Sequence, residues 1–134
     1  MSAKNEYMLL FRHTNTSDTL SPEEMQKVAE QMMAWFKRLT DEGVCLGGRP
    51  LGDEGKVVSG KNGRVVADGP FAESKEAVGG YFMLQLDTFE QAVAIAKECP
   101  MLNHGGKVEV RQVLEKCPHT NVAIPDTELA AATA

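Results

Sequence analysis

Half of the side chains in this 134-residue chain that are candidates for chemistry lie in one stretch of nine residues, Asp68-Gly-Pro-Phe-Ala-Glu-Ser-Lys-Glu76. Asp68 can act as an acid, a base or an acceptor that orients a ligand. Asp-Gly-Pro is equally a good turn, with the aspartate accepting from backbone N–H groups and Pro70 fixing φ. A turn alone needs none of Phe71, Glu73 and Glu76, so both readings stand. In the functional one, Glu73, Lys75 and Glu76 line the mouth of a pocket and Phe71 packs inside it. In the plain one, they are a solvated charged stretch around an aromatic anchor. His13 can serve as a general base near neutral pH, or be an ordinary strand-end residue. Arg12 and Arg111 stand late in two strand-like runs, and Glu109 shares a strand face with Arg111. Asp68 and His13 are the catalytic candidates; Arg12, Phe71, Glu73, Glu76, Glu109 and Arg111 are the substrate-binding ones.

Other chemistries are poorly served. No His/Cys/Asp cluster has metal-ligand spacing, and no dinucleotide fingerprint, phosphate loop or nucleophile elbow occurs, so neither metal nor cofactor is expected. Gly79-Gly80 precedes a strand rather than opening a helix, which is not a phosphate-binding arrangement. Cys45, Cys99 and Cys117 are an odd, widely spaced set. They read as reduced thiols, with Cys45 and Cys99 packed as small apolar residues inside elements. A net charge of −5 without a basic run argues against nucleic acid and anionic membranes as partners. The apolar run from Tyr7 to Phe11 is too short for a secretory segment or a bilayer span, so a cytoplasmic location is expected.

These residues need a scaffold, and the chain length suits one domain over residues 1–115 with an arm or flexible tail over 116–134. Residues 6–13 form a short apolar run that reads as a buried strand. Ser21, Pro22 and Glu24 spell a capping box, and Met25, Val28, Ala29, Met32, Phe36 and Leu39 continue it as one helical stripe ending at Gly43. Trp35 falls off that stripe and reads as peripheral packing or a pocket edge. Residues 44–51 make a strand in which Gly47 and Gly48 mark a bulge. Two β-branched runs flank Asn62-Gly63 between Lys56 and Ala67, a hairpin that Asp68-Gly-Pro70 ends as a turn. Tyr81 to Leu86 is a strand. Asp87 or Thr88 caps a second helix that buries Phe89, Ala92, Val93, Ala96 and Cys99 and stops at Pro100. Lys107 to Leu114 is the last strand.

The order β-α-β, hairpin, β-α-β predicts an α+β domain of the ferredoxin-like kind, a split βαβ whose two helices cover one face of an antiparallel sheet. The uncovered face would then carry Met8, Leu10, Tyr81 and Met83, an apolar patch unusual on a monomer. A homodimer pairing two such faces around a cavity is the expected assembly.

The nine-residue motif, followed by Gly79-Gly-Tyr81, resembles the signature of the DGPF-motif proteins within the YCII-related family. Tyr7-Met-Leu-Leu-Phe-Arg12, Leu20-Ser-Pro-Glu-Glu-Met25, Trp35, residues 92–100 and Gly105-Gly-Lys-Val-Glu-Val-Arg111 agree in order, over roughly residues 5–114. Gln112 departs from the proline common in such proteins. The histidine–aspartate pair of other YCII-type members has no counterpart here. The resemblance implies a dimeric α+β barrel whose first and last strands are neighbours, so Arg12, Glu109 and Arg111 would converge. They would either orient an anionic substrate or form a salt bridge at the dimer. It also implies small-molecule relatives such as lyases, dehalogenases and cofactor-free monooxygenases, and genes encoded beside sigma factors. The expected function is therefore binding of a small molecule in the dimer cavity, with lyase- or isomerase-like acid–base chemistry. The alternative is a non-enzymatic regulatory module with a protein partner, linked to sigma-factor signalling.

Overall fold

A computed structural model describes residues 4–13, 20–52, 54–69 and 77–120, without the side chains of residues 13, 68, 69 and 77. Strand β1 spans Asn5–His13, and alternation sends Tyr7, Leu9 and Phe11 into the core. Helix α1 spans Pro22–Asp41. It starts as its sequence requires: the Glu24 N–H donates to Ser21 Oγ at 3.1 Å, and the Ser21 N–H donates to Glu24 Oε1 at 3.0 Å. It stops at Gly43, whose φ of 78° only glycine takes without strain. The Gly43 N–H bonds to the Thr40 carbonyl and the Val44 N–H to the Leu39 carbonyl, the paired closure of a Schellman end.

The face that α1 buries is not quite the expected one. Val28, Trp35 and Leu39 are buried, Met32 and Phe36 are partly so, and Met25 and Ala29 are exposed. Trp35 is core, not periphery, at 5% exposure. Its ring meets Phe11 edge-on at 6.0 Å and Phe82 at 5.2 Å, and its Nε1–H donates to Glu98 Oε1. Aromatic area and a reachable acceptor rotate the helix toward the tryptophan.

Strand β2 spans Cys45–Pro50, with a register shift between Cys45 and Gly47 that is the expected bulge. Strands β3 (Gly55–Ser59) and β4 (Val65–Gly69) pair as a hairpin in a sheet of their own. Two details differ from the sequence reading. The connection is a short 3₁₀ turn at Lys61–Gly63, with positive φ at Gly60, Asn62 and Gly63, rather than a two-residue Asn-Gly turn. Asp68 and Gly69 also continue β4, paired with Lys56 and Gly55, instead of turning. Backbone ladder bonds won over local turn chemistry there.

Strand β5 spans Ala77–Leu86, starting earlier than its apolar run. Helix α2 spans Phe89–Ala96, opened by a second capping box between Thr88 and Gln91. Ala92 and Ala96 are buried, Phe89 is exposed, and Cys99 is buried just beyond the helix end, before a 3₁₀ turn at Pro100–His104. Strand β6 spans Lys107–Val113. The main sheet runs β2-β5-β1-β6 with all three pairings antiparallel. This is the ferredoxin-like α+β arrangement, with side chains of both helices packed on Tyr7, Leu9, Phe11, Phe82, Leu84 and Leu86. Met8 and Leu10 point the other way, directly across from Met83 and Tyr81, and all four are half-buried. Among the described residues, no helix is long and apolar enough to cross a membrane.

Candidate functional site

The β1–β6 pairing places Leu10 opposite Glu109 and Met8 opposite Arg111, so Arg12, Glu109 and Arg111 share the helix-free face. They converge. Arg12 Nη1 donates to Glu109 Oε1 at 2.8 Å, and Arg111 Nη1 donates to Glu109 Oε2 at 3.2 Å. The hydrogen bond from Arg111, then that from Arg12, holds the Glu109 carboxyl below its usual range. A depressed carboxyl contributes stability above its unfolded-state pKa, and that contribution disappears as pH falls through the lower folded value. Carboxyl-carbon NMR should show Glu109 titrating low in the wild type and moving upward in Arg111→Ala and in Arg12→Ala. A titration unchanged in both variants would mean that the network does not form in solution. An ion-paired carboxylate with lowered proton affinity is a poor general base at neutral pH.

The other sequence candidates are not joined to this cluster. His13 ends β1 opposite Ala77, and Asp68 sits in β4 opposite Lys56, in a strand that among the described residues pairs only with β3. The side chains of His13 and Asp68 lie outside the described residues, as do Phe71, Glu73 and Glu76. Cys45 and Cys99 are buried, and burial raises both thiols, which suits packing rather than reactivity. Among the described residues, no three His, Cys, Asp or Glu side chains are placed to hold a metal.

A second place went unread in the sequence. At the β2 edge of the sheet, a cleft of about 780 Å³ opens between Met32, Met33 and Phe36 of α1 and the backbones of β2 and β5. Residues 46–50 and 79–83 form its strand walls, with Phe11 and Met101 closing it. Four glycines border the cleft. Gly47 and Gly48 lie on β2, and Gly79 and Gly80 on β5, all along the wall. Gly48 is also irreplaceable. A Cβ there would sit 2.3 Å from the Tyr81 carbonyl oxygen and 2.7 Å from Phe82 Cδ1. With small residues at the edge, the cleft takes lining from both faces of β5, Phe82 on the helix side and Tyr81 and Met83 on the other. The two glycine pairs were visible as a bulge and a strand start. Only the β2–β5 register shows that they border one space.

A model of the YCII-related domain matches residues 6–116 of the chain. A search of curated proteins returned no relative.

Proposed function

The chain belongs to the YCII-related family, and from that premise we propose that it is a homodimer that binds a small organic molecule in the cleft between α1 and the β2–β5 edge. One observation carries this reading: a mostly apolar space of about 780 Å³, within the range of ligand pockets generally. The cavity is thus sought beside each sheet rather than between two sheets. The Arg12–Glu109–Arg111 cluster then serves the helix-free face, where Met8, Leu10, Tyr81 and Met83 favour pairing with a second copy.

Binding is better supported than proton transfer. The described lining offers no Asp, Glu or His, and Glu109 is held ionised. Lyase- or isomerase-like chemistry would need Asp68 or His13 as its base. A regulatory module reporting occupancy to a protein partner would use the same cleft and need no base.

The test is a thermal-shift screen of small organic molecules, read beside a Met33→Trp variant. Met33 stands at the cleft with 63% exposure, so a larger ring there fills the cleft while leaving the core alone. A ligand at a hundredfold excess over its Kd adds about 2.7 kcal/mol, several degrees of melting temperature for a domain of this size. Hits should appear with the wild type and vanish with Met33→Trp. Hits that persist in the variant would move the site elsewhere. In the ultracentrifuge, the protein should sediment at twice its 14.6 kDa; a lone protomer at micromolar concentration removes the dimer.

A further inference from the structure

The main sheet has two edge strands, β2 and β6, and they are built differently. β2 is blunted in the usual ways: a register shift between Cys45 and Gly47, a second glycine at Gly48, and Pro50, which has no N–H to offer. β6 has none of these. Its seven residues, Lys107–Val113, contain neither glycine nor proline and pair with β1 from end to end without a register shift. Among the described residues, no strand pairs with its outer side. A regular, unblunted edge presents a row of backbone donors and acceptors to any strand that fits. The core is also thin there. Val108 and Val110 pack on it from opposite Phe11 and Leu9, yet both stay only partly buried.

The sequence of β6 says which strand fits. Lys107-Val-Glu-Val-Arg-Gln-Val113, laid antiparallel on a second copy of itself and centred on Val110, engages all seven residues. Glu109 then stands opposite Arg111 of the second copy, Arg111 opposite Glu109 of the second copy, and Val110 opposite itself. Opposite charges directly across an antiparallel pair attract. The Arg111 side chain is 68% exposed and so has room to reach across. Neighbouring registers are penalised. Centring on Glu109 sets that carboxylate against its twin and Lys107 against Arg111, and centring on Arg111 sets two guanidiniums face to face.

We infer that β6 is a self-association edge, through which two copies join antiparallel about Val110 and two four-stranded sheets become one of eight. The two-fold axis is normal to the sheet, so the helices of both copies stay on one side. The β2 edges, with their clefts, lie at the two outer ends and remain open. This contact is additional to the pairing of helix-free faces and does not rest on it. A single short ladder belongs with the interfaces under about 1,200 Å² that make weak complexes, so it forms near about 100 μM protein.

Amide hydrogen exchange on the native chain reads the edge directly. The outward-facing amides of residues 107–113 should slow about fivefold between about 10 μM and about 1 mM protein, while β2 amides hold their rates. Exchange in β6 that is independent of concentration overturns the proposal, whether the edge stays open or is covered within one protomer. Cysteines then test the register, in a Cys117→Ser background that removes the native thiol that is not buried. Val110→Cys should cross-link two copies on mild oxidation, because its Cβ atoms lie about 5 Å apart across the axis. Gln112→Cys should not, being four residues, about 14 Å, from its twin. Both positions share the core-facing side of the sheet with Leu9 and Tyr7, so pairing of the helix-free faces cannot make the link. Gln112→Cys linking as readily as Val110→Cys, or neither linking, overturns this register. Glu109→Lys and Arg111→Glu should each lose the concentration effect, and an equimolar mixture should regain it because every introduced charge then meets its opposite. A mixture no better than either variant alone overturns the charge pairing.

Discussion

Gly48→Ala should destabilise the fold by about 3 kcal/mol, at the upper end of what one added methyl does in a packed site. The new Cβ would lie 2.3 Å from a backbone carbonyl oxygen and 3.1 Å from the Phe82 Cα. Neither neighbour is the free end of a flexible side chain. Relief therefore requires β2 to move away from β5 where Gly48 pairs with Phe82. Among the described residues, β5 is the only strand that β2 pairs with in the main sheet. Chemical denaturation reads the loss as a lower midpoint, and ligands of the cleft should weaken with it because its wall has shifted. Gly52→Ala is the matched control. A Cβ there meets nothing within 4 Å, so the change should stay within about 0.5 kcal/mol. Similar midpoints for the two variants would show that the strands do not approach as closely as described.

Trp35→Ala should cost more, about 3–5 kcal/mol, the range for emptying a buried aromatic site. The indole packs between Phe11 and Phe82 and ties α1 to Glu98 beyond α2 through a 3.1 Å hydrogen bond. Glu98 also accepts from Arg38, so its carboxylate keeps one partner when the indole is gone. Trp35→Phe separates the two contributions. It keeps most of the ring volume and loses the donor, so about 1–2 kcal/mol is expected. If Trp35→Ala is nearly neutral by denaturant titration, the tryptophan does not belong to the core.

Trp35 also shows where the sequence stops being readable. Local signals were legible because their physics is local. Ser21 and Glu24 satisfy each other's backbone within one turn, and Gly43 ends the helix by its own φ. Strand alternation in β1 and β5 separated the two sheet faces, so Met8, Leu10, Tyr81 and Met83 were placed together correctly. Which side of an amphipathic helix wins is a tertiary matter. A stripe through Met25 and Ala29 was as regular as one through Trp35, and the position of Phe11, Phe82 and Glu98 decided it.

The site divides in the same way. Arg12, Glu109 and Arg111 meet because β1 and β6 are neighbours, a consequence of topology that the family resemblance supplied. Asp-Gly-Pro is strong turn chemistry, yet the Asp68 backbone pairs with Lys56. The cleft had no positive signal at all. It is bordered by glycines about thirty positions apart that the β2–β5 pairing brings to one wall, Gly48 opposite Phe82 and Gly80 opposite Pro50. A pattern of absences cannot be scored until the partners are known.

The central position of β1 has a consequence for how the protein is made. Both of its sheet partners, β5 and β6, follow it in the chain, beginning at Ala77 and Lys107. Its two edges therefore leave the ribosome with nothing to bond to. At typical elongation rates of 5–20 residues per second, some sixty residues of delay amount to roughly 3–13 seconds. During that interval α1 is the nearest available cover for Tyr7, Leu9 and Phe11. A nascent chain paused before Ala77 should bind holding chaperones strongly, and one released after Val113 should not.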